Sequence, residues 1–241
     1  MSRWQLYLIH WPVAFPAGDD PFPLAAGHDS EVALDEGVTL SETWKGASAH
    51  TPEQKLYLAD TLQAMTELPR SKVRSIGVSN FTIEHLEKIT KDTGIAPAVN
   101  QVERHPKLNQ AELISYAREK NIHITAYSAF GNNNFGLPLL VNDPGLKAIA
   151  ERLSSVQGKE VTPAQVILAW AQIGGHSVIP KSVTPSRIRA NYQEAELDDE
   201  AVKAIKKMGE SPQRLNIPNT CKFPFRTCFH SCLPLDPSII A

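Results

Sequence analysis

The chain has 241 residues, 42% hydrophobic and 21% charged, which is ordinary folded-domain usage and excludes disorder, collagen-like repetition and coiled coil. That length can bury a substantial core and suits one large α/β domain or two small ones. Lys and Arg total 24 against 26 Asp and Glu, so the net charge of −2 is too balanced to predict nucleic acid or an anionic membrane as the partner.

The chain opens on MSRWQLYLIHWPVAF, whose apolar stretch is broken by His10, Trp11 and Pro12 and lacks a small-residue cleavage site, so a secretory signal is not expected. No run approaches the roughly 20 apolar residues of a membrane span, and a cytoplasmic location is the expectation. Strand-like runs follow at 5–9 (QLYLI), 73–78 (VRSIGV), 97–102 (PAVNQV), 122–127 (IHITAY) and 177–180 (SVIP). Each leads through a polar or proline-containing turn into a helical pattern. Thr162-Pro163-Ala164-Gln165 predicts a helix start with Thr as N-cap, Pro at the first position and Gln at the third, and Gly174-Gly175 predicts its stop. Thr184-Pro185 predicts a second start of the same kind. Asp198, Asp199 and Glu200 then open a helix whose apolar face is Leu197, Ala201, Val202, Ile205 and Met208. The three cysteines, Cys221, Cys228 and Cys232, match no common zinc-ligand spacing, and no metal is expected.

Strands alternating with helices predict a parallel sheet with right-handed crossovers, either doubly wound or a (β/α)8 barrel. No GxGxxG lies between a strand and a helix, so a bound nucleotide would need another route than the dinucleotide-binding turn. The C-terminal strand ends, where active sites of parallel α/β folds collect, are polar: His10-Trp11, Ser79-Asn80-Phe81, Asn100, Gln101 and Glu103, Tyr127-Ser128, then Lys181-Ser182-Val183-Thr184. A barrel would gather them at one mouth. Singly, each has a plainer reading: His10 as a hydrogen-bonded structural histidine, Tyr127 as a core aromatic, Asn80 and Gln101 as loop caps. His105, between Arg104 and Pro106, reads as loop structure, and the remaining histidines show no ligand spacing. The last loop carries the best independent argument. Lys181, Ser182, free backbone N–H groups and a helix start would face one point and form an anion site, to which Arg187 one turn later adds a guanidinium suited to phosphate. A solvated basic helix start is the alternative.

LYLIHWP (6–12), IGVSNF (76–81), PAVNQVERHP (97–106), TAYSAFG (125–131) and VIPKSVTPSRIRAN (178–191), in that order, resemble the aldo-keto reductase family, in particular its NADP-dependent aldehyde and glycerol dehydrogenase branch. The resemblance covers roughly residues 4–215. It implies a (β/α)8 barrel that binds NADPH extended, without a Rossmann domain, and catalyses hydride transfer between NADPH and an aldehyde, ketone or polyol. It further implies that His10 is the catalytic-site histidine orienting the substrate carbonyl and that Trp11 lines the substrate pocket. Ser79, Asn80 and Gln101 would hold the nicotinamide carboxamide, Tyr127 would stack on the nicotinamide ring, and Ser128 and Phe130 would border the pyrophosphate. Lys181, Ser182 and Arg187 would grip the 2′-phosphate, and Asn191 would reach the adenine. Ala129 and Ala190 depart from the family's usual Pro and Glu.

LYLIHWP resembles the family's fourth strand, so the expected fold is a partial barrel over 1–215, lacking the first three βα units and the catalytic Asp, Tyr and Lys they carry. None of Tyr7, Tyr57, Tyr116, Tyr127 or Tyr192 lies in a motif matching the proton donor, so a weak or inactive reductase is expected. Residues 46–63 interrupt the resemblance and read as an insertion, either a true amphipathic helix or a retained intron. Residues 216–241 read as an irregular or disordered tail. A non-catalytic NADP-binding pseudoenzyme or interaction protein is the alternative function, and an unrelated sugar-phosphate barrel using Lys181 is a third.

Overall fold

The computed structural model describes residues 3–18, 20, 23–27, 32–45, 71–132 and 137–216. The expected insertion at 46–63 lies outside the described residues, as does the expected tail apart from Asn216. Five strands form one sheet in the order β1 (Trp4–Ile9), β2 (Val73–Ser79), β3 (Val99–Glu103), β4 (His123–Tyr127), β5 (Ser177–Val178). β1 and β2 pair in parallel with Trp4 opposite Val73 and Ile9 opposite Val78, and β4 and β5 with Thr125 opposite Ser177. Sheet neighbours are chain neighbours throughout, which is the winding of a (β/α)8 barrel, whereas a doubly wound sheet reverses direction at a switch point. The strand order thus selects one of the two folds that periodicity left open.

The described residues of Met1–Asn100 and Ser115–His123 form one compact unit, those of Gln101–Ile114 and Ile124–Pro218 another. In the first unit β2 is the buried strand, and Gly77 lies where a Cβ would stand 2.7 Å from Leu8 Cδ2 and 2.7 Å from the Val99 carbonyl oxygen. Glycine is what lets both neighbouring strands approach. β1 departs from the expected buried pattern, with Trp4 69% exposed and Tyr7 38% exposed, because it ends the strand order and pairs only with β2. Helices α1 (Leu40–Lys45) and α2 (Ile83–Thr93) complete this core. Trp44 is fully buried and donates its indole N–H to the Ile95 carbonyl at 2.9 Å, while Val78, Phe81, Leu86 and Ile89 fill the interior. Each such apolar side chain contributes about 1.5–3 kcal/mol by leaving water.

α2 begins with Thr82 as N-cap in a capping box whose return partner is a histidine: His85 N–H donates to Thr82 Oγ1 at 3.3 Å, and Thr82 N–H donates to His85 Nδ1 at 3.3 Å. Gly94 ends it in the left-handed region at φ 73°. Helix α3 (Ala111–Glu119) follows β3.

In the second unit, α4 (Pro144–Gln157), α5 (Pro163–Gln172) and α7 (Asp199–Met208) present Leu146, Leu153, Val166, Ile167, Ala201 and Ile205 to one core. The capping box predicted for α5 is present, with Gln165 N–H to Thr162 Oγ1 at 3.3 Å and Thr162 N–H to Gln165 Oε1 at 2.9 Å. Asp198 caps α7 by accepting from Ala201 N–H at 2.8 Å and pairs through both oxygens with Arg152 at 2.7 Å. Those bonds hold its carboxyl down at about 2. Helix α6 (Pro185–Ala190) departs from expectation: Thr184 precedes Pro185, but its side chain makes no capping bond, and Thr184 N–H instead donates to Ser182 Oγ at 3.2 Å. The final strand is also shorter than predicted. Ile179 N–H still reaches the Ala126 carbonyl at 3.0 Å, and Pro180, having no N–H, ends the ladder. Among the described residues, no helix is long and apolar enough to cross a membrane.

Candidate active site

The residues singled out in the sequence fall into two groups, one in each unit. In the first unit β1 ends at Ile9, which puts His10 and Trp11 in the turn beyond it, and β2 ends at Ser79, which puts Asn80 at the next position. Asn80 is buried at φ 64°, a left-handed conformation that asparagine tolerates better than other side chains. Its Nδ2 donates to the His10 carbonyl at 3.0 Å and to Ser79 Oγ at 3.2 Å, tying the ends of β1 and β2 together. The His10 ring is exposed and lies 5.7 Å from the Trp11 ring. Asn100 proves to be a clamp on the Phe81 backbone, donating to its carbonyl at 2.9 Å and accepting from its N–H at 3.4 Å with no exposure of its own.

In the second unit Gln101 is half-buried on β3, and β4 delivers Tyr127 and then Ser128, the latter at φ 48°. Among the described residues, two of the four non-glycine residues with left-handed backbone thus stand immediately after strands at expected site positions. Strained backbone of this kind persists where the surroundings over-determine it, and it concentrates at functional sites. Burial is the first cause that pushes the Tyr127 phenol above its ordinary range, and the charge of Glu103 is the second. Phe130 packs partly buried against the core beside Ala129. Lys181 and Arg187 are exposed, Ser182 and Asn191 half-exposed, following one another along the loop and α6.

The fold also shows a buried group of which the sequence marked Glu103 only as a polar strand-end residue and His105 only as loop structure. Glu103, Arg104 and His105 at the end of β3 are all buried. Glu103 Oε1 accepts from Leu215 N–H at 2.6 Å and Asn216 N–H at 2.9 Å, and lies 3.1 Å from His105 Nε2. Arg214 NH1 stands 3.7 Å from the other carboxylate oxygen. His105, read as loop structure, has no exposure at all. The available signal was three consecutive ionisable residues running off the end of a strand, a run that a solvated loop does not require.

A family model described as the aldo/keto reductase family matches residues 2–210. The chain is 59% identical over 218 residues to D/L-glyceraldehyde reductase of Hypocrea jecorina, covering 90% of this chain and 60% of that enzyme. Glycerol 2-dehydrogenase (NADP(+)) of the same organism is 36% identical over 211 residues, covering 86% of this chain and 59% of that protein. Among solved structures, aldose reductase from Giardia lamblia superposes with a TM-score of 0.71 at 31% identity, covering 90% of this chain and 65% of that one. The chain therefore spans about 60% of the length of these relatives. On the match to residues 2–210 and the parallel α/β fold shared with aldose reductase, the chain belongs to the aldo/keto reductase family.

Proposed function

We propose that the chain serves an NADP-dependent oxidoreductase that interconverts a small aldehyde or ketone with its alcohol, glyceraldehyde-sized polyol substrates foremost, in the cytoplasm. The 59% identity to a D/L-glyceraldehyde reductase carries this reading. The side chains fit the nucleotide. Lys181 and Arg187 are exposed cations that flank Ser182 in the sequence, the chemistry of a phosphate grip, and Ser79, Asn80 and Gln101 each carry an amide or hydroxyl of the kind a carboxamide pairs with. Tyr127 would offer its ring face to the nicotinamide, Ser128 and Phe130 would border the pyrophosphate, and Asn191 would meet the adenine. When bound, NADPH supplies the hydride. The chain's own part is orientation: His10 donates a hydrogen bond to the substrate oxygen, and Trp11 walls the substrate.

Proton delivery is the weak step. No tyrosine of the chain lies in a motif resembling the family's proton donor, and we infer slow or no turnover by these 241 residues alone. A non-catalytic NADP-binding protein is the second reading. It is favoured by the sequence itself, in which none of Tyr7, Tyr57, Tyr116, Tyr127 or Tyr192 lies in a motif resembling that of the proton donor.

Lys181→Ala tests the cofactor assignment. The expected result is a loss of NADPH affinity at least about tenfold greater than the loss for NADH, the scale of one charge-assisted bond to the 2′-phosphate. Equal losses for both nucleotides would contradict it. NADPH oxidation in the presence of glyceraldehyde separates the two readings, since the second expects binding with no turnover.

A further inference from the structure

The buried cluster around Glu103 has no part in the chemistry above, yet it is built as a fastening. One carboxylate oxygen gathers the backbone N–H groups of Leu215 and Asn216 at 2.6 and 2.9 Å together with His105 Nε2 at 3.1 Å. The Glu103 and His105 side chains have no exposure. A carboxylate placed so deep needs several donors, and two of these come from a segment 112 and 113 positions away in the chain. That segment does not stop at the carboxylate. Asn216 Oδ1 accepts from Asn132 Nδ2, which leaves the Asn216 amide nitrogen to hydrogen-bond the Tyr127 phenol, beside a backbone hydrogen bond from Glu103 that side-chain substitution leaves in place. The same residue thus has its backbone held by Glu103 and its side chain on Tyr127.

We propose that Glu103 is a positioning residue for Tyr127, its carboxylate buckling residues 214–216 onto the end of β3 so that Asn216 holds the phenol and fixes the plane of the ring. Arg214, 3.7 Å from Glu103 Oε2, closes the buckle on its second side. This rests on the reading of Tyr127 as the face on which the nicotinamide stacks. The ring itself can rotate about two side-chain bonds, and only its hydroxyl end offers a polar group by which to hold it. Losing the buckle should therefore affect the nicotinamide half of the cofactor and spare the adenosine half.

The test is calorimetric titration of the purified chain with two probes, NADPH and 2′-phospho-ADP-ribose, the latter carrying no nicotinamide. Glu103→Gln, nearly isosteric, is expected to bind NADPH about tenfold more weakly and 2′-phospho-ADP-ribose within about twofold of the parent. Asn216→Ala should show the same selective loss, and adding Glu103→Gln to it should cost nothing more, since both act through one contact. Equal loss for both probes would mean that Glu103 only supports the fold, and unchanged NADPH binding would also overturn the proposal. Should Glu103→Gln fail to fold, Asn216→Ala carries the test alone, with loss of both probes or of neither as the contrary result. Tyr127→Ala separates the proposal from the reading beneath it. If that variant loses NADPH affinity while Glu103→Gln does not, the positioning role is wrong and the stacking role stands; if Tyr127→Ala leaves NADPH binding unchanged, both fall.

Discussion

Arg104 is 6% exposed, with its guanidinium carbon 4.1 Å over the Trp170 ring and NH1 donating to the Ala171 carbonyl at 2.8 Å. Ala171 lies in the last turn of α5, where carbonyls lack intrahelical partners and a cation is favoured. Burial lowers the guanidinium's pKa to about 10, which leaves it charged at neutral pH. Arg104→Ala should destabilise the chain by about 3 kcal/mol, combining an unpaired buried carbonyl with the lost contact to Trp170. A urea melt showing under 1 kcal/mol would mean that the carbonyl finds water instead. Individual residues were the least legible scale. His105 reads as loop structure from the sequence, and its place after β3 agrees, but local sequence shows only that it follows a strand and precedes Pro106, not that it and Arg104 are buried. Arg104 is held by Ala171 and Trp170 of α5, far away in the chain, and His105 by the Glu103 carboxylate, which is itself held by residues 215 and 216. His10 and Asn80 were legible as strand-end positions. The bond from Asn80 to the His10 carbonyl was not, since 70 positions separate them.

Elements were far more legible, because strand runs and caps are written in adjacent residues. All five strands appear where the apolar runs placed them, and the α5 capping box is made by the residues that announced it. Thr184-Pro185 shows the limit: Pro at the first position sets the helix, but the Ser182 hydroxyl, rather than Thr184 acting as cap, satisfies a backbone donor. Gly77 looked like one more residue in an apolar run, yet an added Cβ would meet the Val99 carbonyl oxygen at 2.7 Å. Gly77→Ala should cost about 2 kcal/mol by forcing β2 away from its neighbours, measurable by denaturant unfolding. An unchanged midpoint would mean that the sheet yields without cost.

The α2 capping box makes a second expectation at this scale. His85 accepts a backbone N–H on Nδ1, and burial lowers its pKa from 6.5, with Glu84 partly opposing. Because the unfolded chain takes up the proton first, the stability held by this cap is complete above pH 6.5 and is lost as pH falls through the folded value. His85→Gln, which keeps a capping-box acceptor and cannot titrate, should flatten the decline in melting temperature between about pH 7 and pH 5. An identical slope in both proteins would remove His85 from the explanation.

At the scale of the whole molecule, alternating strands and helices gave the α/β class but not the winding. The uninterrupted strand order, together with the resemblance of five motifs in register, selected the barrel family. The family match over residues 2–210 agrees. The two compact units were not legible, because the division falls inside β3, between Asn100 and Gln101, where neither composition nor period changes. The residues assigned to the nucleotide are Ser79, Asn80, Gln101, Tyr127, Ser128, Phe130, Lys181, Ser182, Arg187 and Asn191. The most direct measurement is a fluorescence titration of the purified 241-residue chain with NADPH and with NADH, accompanied by a circular-dichroism melt. A cooperatively melting chain that binds NADPH at least about tenfold more tightly than NADH is the expected result. A cooperative melt with no binding, or with equal affinity for the two nucleotides, would contradict the assignment of these residues to an NADP site.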